Sequence, residues 1–532
     1  MNAFDSAADK IITMPRPEIA SQRWRLASFI LVPVLALMAL MAWGLSSPVG
    51  SSPDDDFHLA SIWCGHGDTA DGCEAASSDS ERVVPRDLVI DAVCFAFNPE
   101  ASAACQGADF GLNPADTVTT PRGNFTGLYP PVYYFVMSLF AGDNIENSVL
   151  LMKLVNSLLF VGLVSALFWL LPLHRRQTLV WSLALSLIPM GMFIIPSTNP
   201  SGWAVLSAGT LWLALVGYFE STGRRRVGLG AIALIATVMG AGARADSAIY
   251  AGLAIAIAVV LTIRRTRQWM LAAIAPAVLM LLAVGFFFSA HQGDAISAGL
   301  APGQAPLVDS PIVLAAANLI NIPALWAGVF GFMGLGWLDT AMPASVWFAG
   351  VAAFSSAVLI GLGTRVARKG VAVTVLILSL IAIPTVLLVQ SGSMVGANVQ
   401  PRYILPLIVM LAGLALLQSG DARIRFTPVQ KWVVIAALSL ANTIALHTNI
   451  RRYVTGVDGP SVDLDSDAEW WWNIPVSPMF VWIIGSFAFA GILILMGSKV
   501  WNSEIPRPIS TSTLPYDRAG VGHAGHRDSP GC

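Results

Sequence analysis

Charge is what this sequence has least of. Asp, Glu, Lys and Arg make up 12% of its 532 residues, roughly half the share of a soluble globular chain. With 55% hydrophobic residues and a mean hydropathy of +0.68, that scarcity excludes a soluble fold. No repeat at solenoid periods is visible, and no Gly-rich nucleotide fold or other soluble domain stands beside the apolar runs. Cysteine is sparse as well, at five residues, and the paired C-x₂₋₄-C knuckle of common zinc sites is missing. The net charge of −2 carries no information about partners, because charge in such a chain is sorted by side of the membrane; nucleic acid is not among the expected partners.

What is present is a series of long apolar runs. About 20 apolar residues, each rising about 1.5 Å, cross the hydrocarbon layer as a helix. The expected fold is therefore an all-α polytopic membrane protein. Spans are expected at 27–46, 148–171, 177–195, 203–220, 228–243, 247–263, 269–289, 343–363, 371–390, 402–419, 430–448 and 478–498. That makes about twelve, within a range of about 11 to 14. Two further stretches, 127–142 and 311–338, are interrupted by proline or glycine and read as membrane-surface or re-entrant segments. With the N-terminus inside, the cytoplasmic loops carry Arg175-Arg176, Arg224-Arg225-Arg226, Arg264-Arg265-Arg267, Arg365-Arg368-Lys369 and Arg423-Arg425, as the positive-inside rule requires. No cleavable signal peptide is expected, since polar, Arg-bearing residues precede a first span too long for a signal core.

The domain plan follows. Residues 1–26 form a cytoplasmic segment and 27–46 the first span; 47–147 form a large extracytoplasmic loop with surface helices. The membrane core covers 148–448, with outer loops at 290–342 and 391–401; another outer loop is 449–477, the last span 478–498, and 499–532 a disordered cytoplasmic tail. Cys64, Cys73, Cys94 and Cys105 all fall in the first outer loop, and the fifth, Cys532, is remote. Four cysteines on an oxidising face point to two disulfides. Three pairings exist; Cys64–Cys73 and Cys94–Cys105 close the shortest loops and are favoured, although spacing does not settle them. A zinc site with His58 and His66 is the weaker alternative.

Several polar strings collect on the outer side under this topology. Pro53-Asp54-Asp55-Asp56-Phe57-His58 follows the first span, and three successive carboxylates with a histidine suit a general base, a cation site or a substrate clamp. Tyr129-Pro130-Pro131-Val132-Tyr133-Tyr134 breaks the chain and then starts an interfacial helix, as an aromatic belt or as the wall of a lipid groove. Asn199-Pro200 opens the fourth span, where a cap is the simplest role. Arg244 and Arg402 sit against the charge trend and ask for a partner or an anion; for Arg244 the local partner is Asp246. Trp470-Trp471-Trp472 suits the membrane interface better than a sugar platform.

Three of these features resemble the GT-C superfamily, polytopic glycosyltransferases that use polyprenyl-phosphate sugars: the acidic motif after span one, the proline pair opening a surface helix, and Lys153-x-x-Asn156 in the next span. Within that superfamily the chain is similar to the bacterial membrane-protein family called domain of unknown function 2142. Pro53–His58 matches its Pro-Asp-Glu-x-x-His-like start with Asp55 in place of glutamate, and Gln400-Pro401-Arg402-Tyr403 matches its Gly-Arg-Tyr motif with proline in place of glycine.

The resemblance implies an inverting transfer in cell-envelope glycan assembly, at the outer face of the bacterial cytoplasmic membrane. Its partners are a polyprenyl-phospho-sugar donor, a glycan or lipoglycan acceptor and membrane lipids. It implies Asp55 as first choice of base, then Asp54, with His58 in support. Arg402 is expected to meet the donor phosphate from across the reacting carbon, and Arg244, Asp246, Tyr129, Tyr133, Asn199 and Tyr403 to shape the substrate site. No cofactor is required; Asp56 and its neighbours permit a divalent cation (magnesium, manganese or calcium) without demanding one. The alternatives are a transporter or flippase of lipid-linked saccharide, disfavoured by the few ionisable groups deep in the spans, and a non-catalytic assembly partner.

Overall fold

A computed structural model describes residues 17–67, 72–290, 310–363, 366–397, 399–418, 426–459 and 461–502. The tail from Ser503 with Cys532, and Arg365, Arg423 and Arg425, lie outside the described residues.

The chain is mostly helical, as hydropathy predicts. Its helices are α1 (Pro17–Leu45), α2 (Asp55–Trp63), α3 (Val132–Ser138), α4 (Ile145–Leu170), α5 (Leu173–Ser186), α6 (Met190–Ile194), α7 (Ser201–Glu220), α8 (Gly223–Ala241) and α9 (Ala245–Thr262). They continue with α10 (Arg267–Ala272), α11 (Ile274–Phe288), α12 (Pro311–Gly328), α13 (Ala344–Leu362), α14 (Ala367–Gln390), α15 (Pro401–Leu416), α16 (Pro428–Val454) and α17 (Pro478–Asn502). Among the described residues nine helices, counting α10–α11 together, are long and apolar enough to cross a membrane; Ile30–Leu45 of α1 and all of α15 are shorter apolar helices.

Local chemistry sets the boundaries. Asn144 caps α4 by accepting from the Asn147 amide at 2.8 Å, and Pro172 follows its end. Thr427 and Gln430 form a reciprocal capping box at the start of α16. The span expected over 177–195 is not one helix: α5 stops at Ser186, and a cis Ile188-Pro189 bond precedes the short α6. Proline removes the amide that would continue the ladder, so the chain reaches the Ser197–Asn199 turn in two pieces.

Burial separates the hub from the lipid-facing helices. In α7, 89% of the apolar stretch is buried, against 22% for Arg267–Phe288. Nearly every residue of α15 is buried too, and it packs on α5, α7, α13 and α14. Gly209 of α7 lets the Leu183 and Val409 side chains close in on the backbone. Membrane helices rely on such close approach, because lipid offers no hydrophobic drive between them.

The segment 311–338 differs from the interrupted pattern expected of it. Helix α12 runs unbroken through Pro323. Its Asn318 amide donates to the Ser393 carbonyl beyond the end of α14, whereas Trp326 donates to Leu380 within α14. The chain then turns back, and Trp337 donates to the Gly50 carbonyl of the first loop at 2.9 Å. Asn318 and Trp337 thus both lie toward the first-loop end of the bundle.

The first loop is not purely helical. Strands β1 (Glu74–Ala75), β2 (Arg82–Pro85) and β3 (Thr117–Thr120) form a small antiparallel sheet in that order. Disulfides Cys64–Cys73 and Cys94–Cys105 brace the loop, in the short-loop pairing. Arg452, fully buried at the end of α16, donates to the carbonyls of Phe95, Asn98 and Ala101 and to Asp339 at 2.9 Å. That one guanidinium ties the loop to the bundle. At the other end, Arg175, Arg225, Arg264, Arg368 and Lys369 lie around one cavity, so these basic positions collect on the side away from the first loop.

Candidate functional site

The acidic string lies where α1 turns into α2, at the loop end of the bundle. Asp54 caps α2 with φ +61°, a left-handed backbone that few non-glycine residues adopt. This strained turn sends three successive carboxylates in different directions.

Asp55 points inward and is 2% exposed. Its two oxygens accept from the Ser52 amide at 3.0 Å and the Thr198 hydroxyl at 2.9 Å. Burial raises its pKa to about 7, with those two hydrogen bonds pulling the other way. Asp56 faces sideways and is held by both arms of Arg122, at 2.7 and 2.8 Å. Asp54 faces the opening: 38% of its side chain is exposed. One of its oxygens accepts from Arg402 Nη2 and the other lies 3.9 Å from Arg122. Burial alone would raise this carboxyl, but the Arg402 guanidinium overrides it and holds the pKa below the ordinary value.

Arg402, 2% exposed at the start of α15, also donates through Nη1 to the Pro53 carbonyl at 2.9 Å. Its Nε is buried without a partner. Arg244, equally buried, is gripped by both Asp246 oxygens at 2.8 Å. Its remaining arm reaches Ser201 only weakly, at 3.4 Å. The Tyr403 ring lies between the two cations, 4.7 Å from Arg244 and 5.1 Å from Arg402, and Tyr129 stacks on Arg244 at 5.6 Å. The local pair offered by the sequence for Arg244 is the one observed.

His58 is fully buried. Its Nδ1 lies 2.9 Å from the Tyr134 hydroxyl and its Nε2 has no partner. Burial keeps its pKa well below the ordinary value, so the ring is neutral at physiological pH. Asn199 has two tasks: its Oδ1 accepts from the Ser201 amide at the start of α7, and its Nδ2 donates to the Pro53 carbonyl at 2.8 Å.

Three expectations change. Asp55, first by sequence position, is enclosed with both oxygens engaged, whereas Asp54 is the accessible carboxylate. Arg402 does not stand across a gap from the carboxylates; it touches Asp54 directly. Tyr133 is fully buried and edge-on to Trp203 at 5.1 Å, behind the opening rather than in it.

Two contributors escaped the sequence reading: Arg122 arrives from 66 residues beyond Asp56, and Ser52 reaches Asp55 through its backbone amide. Tyr134, read from the sequence only as part of the aromatic string, meets His58. Lys153 donates to the carbonyls of Gly44 and Ser47, at 2.9 and 2.5 Å, and sits under the Trp472 ring. The Trp472 indole donates to the Leu45 carbonyl at 2.8 Å, which makes it an anchor for the end of α1. Among the described residues no three His, Cys, Asp or Glu side chains converge as a metal set.

Fold and site together define a polytopic α-helical membrane protein with a cluster of ionised groups at one end of its bundle. The family model described as predicted membrane protein DUF2142 matches residues 37–411. The chain belongs to that family, and the match takes in Asp54–His58, Tyr129, Arg244 and Arg402. No curated protein and no solved structure matches the chain.

Proposed function

We propose that this protein is a membrane glycosyltransferase that moves a sugar from a polyprenyl-phosphate carrier to an acceptor hydroxyl, with inversion, in cell-envelope glycan assembly. The observation that carries the reading is Asp54, an accessible carboxylate in a strained turn, paired with a buried guanidinium 348 residues away in sequence. Strain of about 1–3 kcal/mol persists where the surroundings impose it, and it gathers at functional sites.

In the proposed step the donor phosphate takes the guanidinium of Arg402, beside Tyr403 and Arg244. Asp54 loses its cation, so its proton affinity rises when the donor is in place. The acceptor hydroxyl gives its proton to Asp54 while its oxygen attacks the anomeric carbon. The bond from that carbon to the phosphate oxygen breaks, and polyprenyl phosphate leaves with the electron pair, stabilised by the arginines. Arg402, Arg244 and Arg122 supply the positive charge this step needs. Asp55 positions the turn by holding Ser52 and Thr198.

The site is assigned to the outer face of the bacterial cytoplasmic membrane. Basic residues collect at the opposite end, as on cytoplasmic sides, and disulfides belong to an oxidising compartment. Twelve crossings, with α5–α6 counted as one and α12 as a re-entrant dip, keep both ends of the chain inside.

The test uses full-length protein in detergent with labelled polyprenyl-phospho-sugars and a glycan acceptor. Asp54→Asn lowers the rate of glycosidic bond formation about 10²–10⁴-fold. Unchanged transfer by the folded variant overturns the assignment. Movement of lipid-linked saccharide across liposomes without any new glycosidic bond points to transport instead.

A further inference from the structure

At the end of the bundle opposite Asp54, a cavity of about 1120 Å³ opens among the ends of α5, α7, α9, α14 and α15. Arg225, Arg264 and Arg368 line it with exposed side chains. Among the described residues of the lining the one acid, Glu220, is already neutralised: Arg175 grips both of its oxygens, at 2.6 and 3.0 Å. Lys369 is engaged with the Gly361 and Ala415 carbonyls at 2.7 Å, so its charge contributes to the field while its ammonium serves the fold.

The helix geometry adds to this charge. The first turns of α5 and α14 border the cavity, and neither is capped by a side chain. Helix N-termini carry unsatisfied amides and a partial positive charge. The rest of the wall is apolar, from Val216, Leu261, Val366 and Leu417. Membrane topology alone accounts for arginines exposed on this side. It does not require three of them to converge with two uncapped helix N-termini on one cavity with an apolar wall, whose described acid is already paired.

We infer that this cavity binds a phosphate group, carried by an anionic phospholipid headgroup or present as free phosphate. Several oxygens around one phosphorus match guanidinium forks, and the apolar wall suits the glycerol and upper acyl chain of a lipid. The site is independent of the transfer reaction, which is assigned to the other end of the bundle.

The experiment uses the full chain in phosphatidylcholine nanodiscs, with native mass spectrometry of retained lipid and thermal melting as readouts. Phosphatidylglycerol is expected to be retained in preference to phosphatidylcholine and to raise the melting temperature. Arg225→Gln, Arg264→Gln and Arg368→Gln each weaken retention about five-fold. If millimolar inorganic phosphate raises melting as much as the lipid does, the ligand is free phosphate and the phosphate site stands. Equal retention of both lipids with no response to inorganic phosphate overturns the inference. So does retention that is unchanged in all three single variants, which alter exposed side chains and leave the α5–α7 ion pair intact.

Discussion

Neighbouring carboxylates in one short string have opposite fates. Asp54 is stabilised as an anion by Arg402, whereas Asp55 is pushed toward its neutral form by burial. The consequence for pH dependence has a definite sign. The Asp55 carboxyl ionises near 3.8 when unfolded and near 7 when folded. Between those values the folded state holds the extra proton, so this group's contribution to stability is full at low pH and is lost as pH rises toward 7. Melting of the wild type minus melting of Asp55→Asn, measured across that window, should therefore fall with pH; a flat difference rejects the shifted carboxyl. The variant is also expected to be less stable by about 1–3 kcal/mol, because one of the two donors, the Ser52 amide or the Thr198 hydroxyl, loses its acceptor. Asp54→Asn behaves differently. Asparagine tolerates the left-handed turn and still accepts from Arg402, but it leaves that buried guanidinium without its counter-charge, so melting falls while the proposed transfer is lost.

At the scale of elements, the first loop depends on its staples. Replacing either disulfide pair by serines is expected to cost about 2–4 kcal/mol. Limited proteolysis should then cut first within 64–105 while the membrane helices persist. Uniform resistance across the chain would show that the ties from Arg452 and Trp337 hold the loop without the disulfides. Much of this level was legible in the sequence. Apolar runs located most helices, and cysteine spacing favoured the pairing observed. The split of α5 from α6 was not legible as two pieces, because the hydropathy of 177–195 continues across Pro189. Nor was the small sheet, whose strands are two to four residues long. At the site, Arg402 stood out as a charge out of place, and Asp246 as the local partner of Arg244. Arg122 gave no such signal: an arginine in an aqueous loop looks ordinary until folding carries it to Asp56. Choosing among three adjacent aspartates also required φ at Asp54, which composition does not reveal.

For the whole molecule, sidedness is open to direct measurement. In a Cys532→Ser background, Ser78→Cys, Ser310→Cys and Ser345→Cys are expected to react with an impermeant maleimide applied to intact cells, and Arg224→Cys only after lysis. Labelling of Ser310→Cys and Ser345→Cys from opposite sides would mean that α12 crosses the membrane, and the site would need a new orientation. The tie between Asp54 and Arg402 also has a bearing on biogenesis. Chains are made from the N-terminus onward, so the acidic turn is synthesised before helices α3 to α15. Only when α15 enters does its arginine close the cluster. A chain cut short before that point keeps Arg122 on Asp56 but leaves Asp54 without the buried guanidinium that pairs with it.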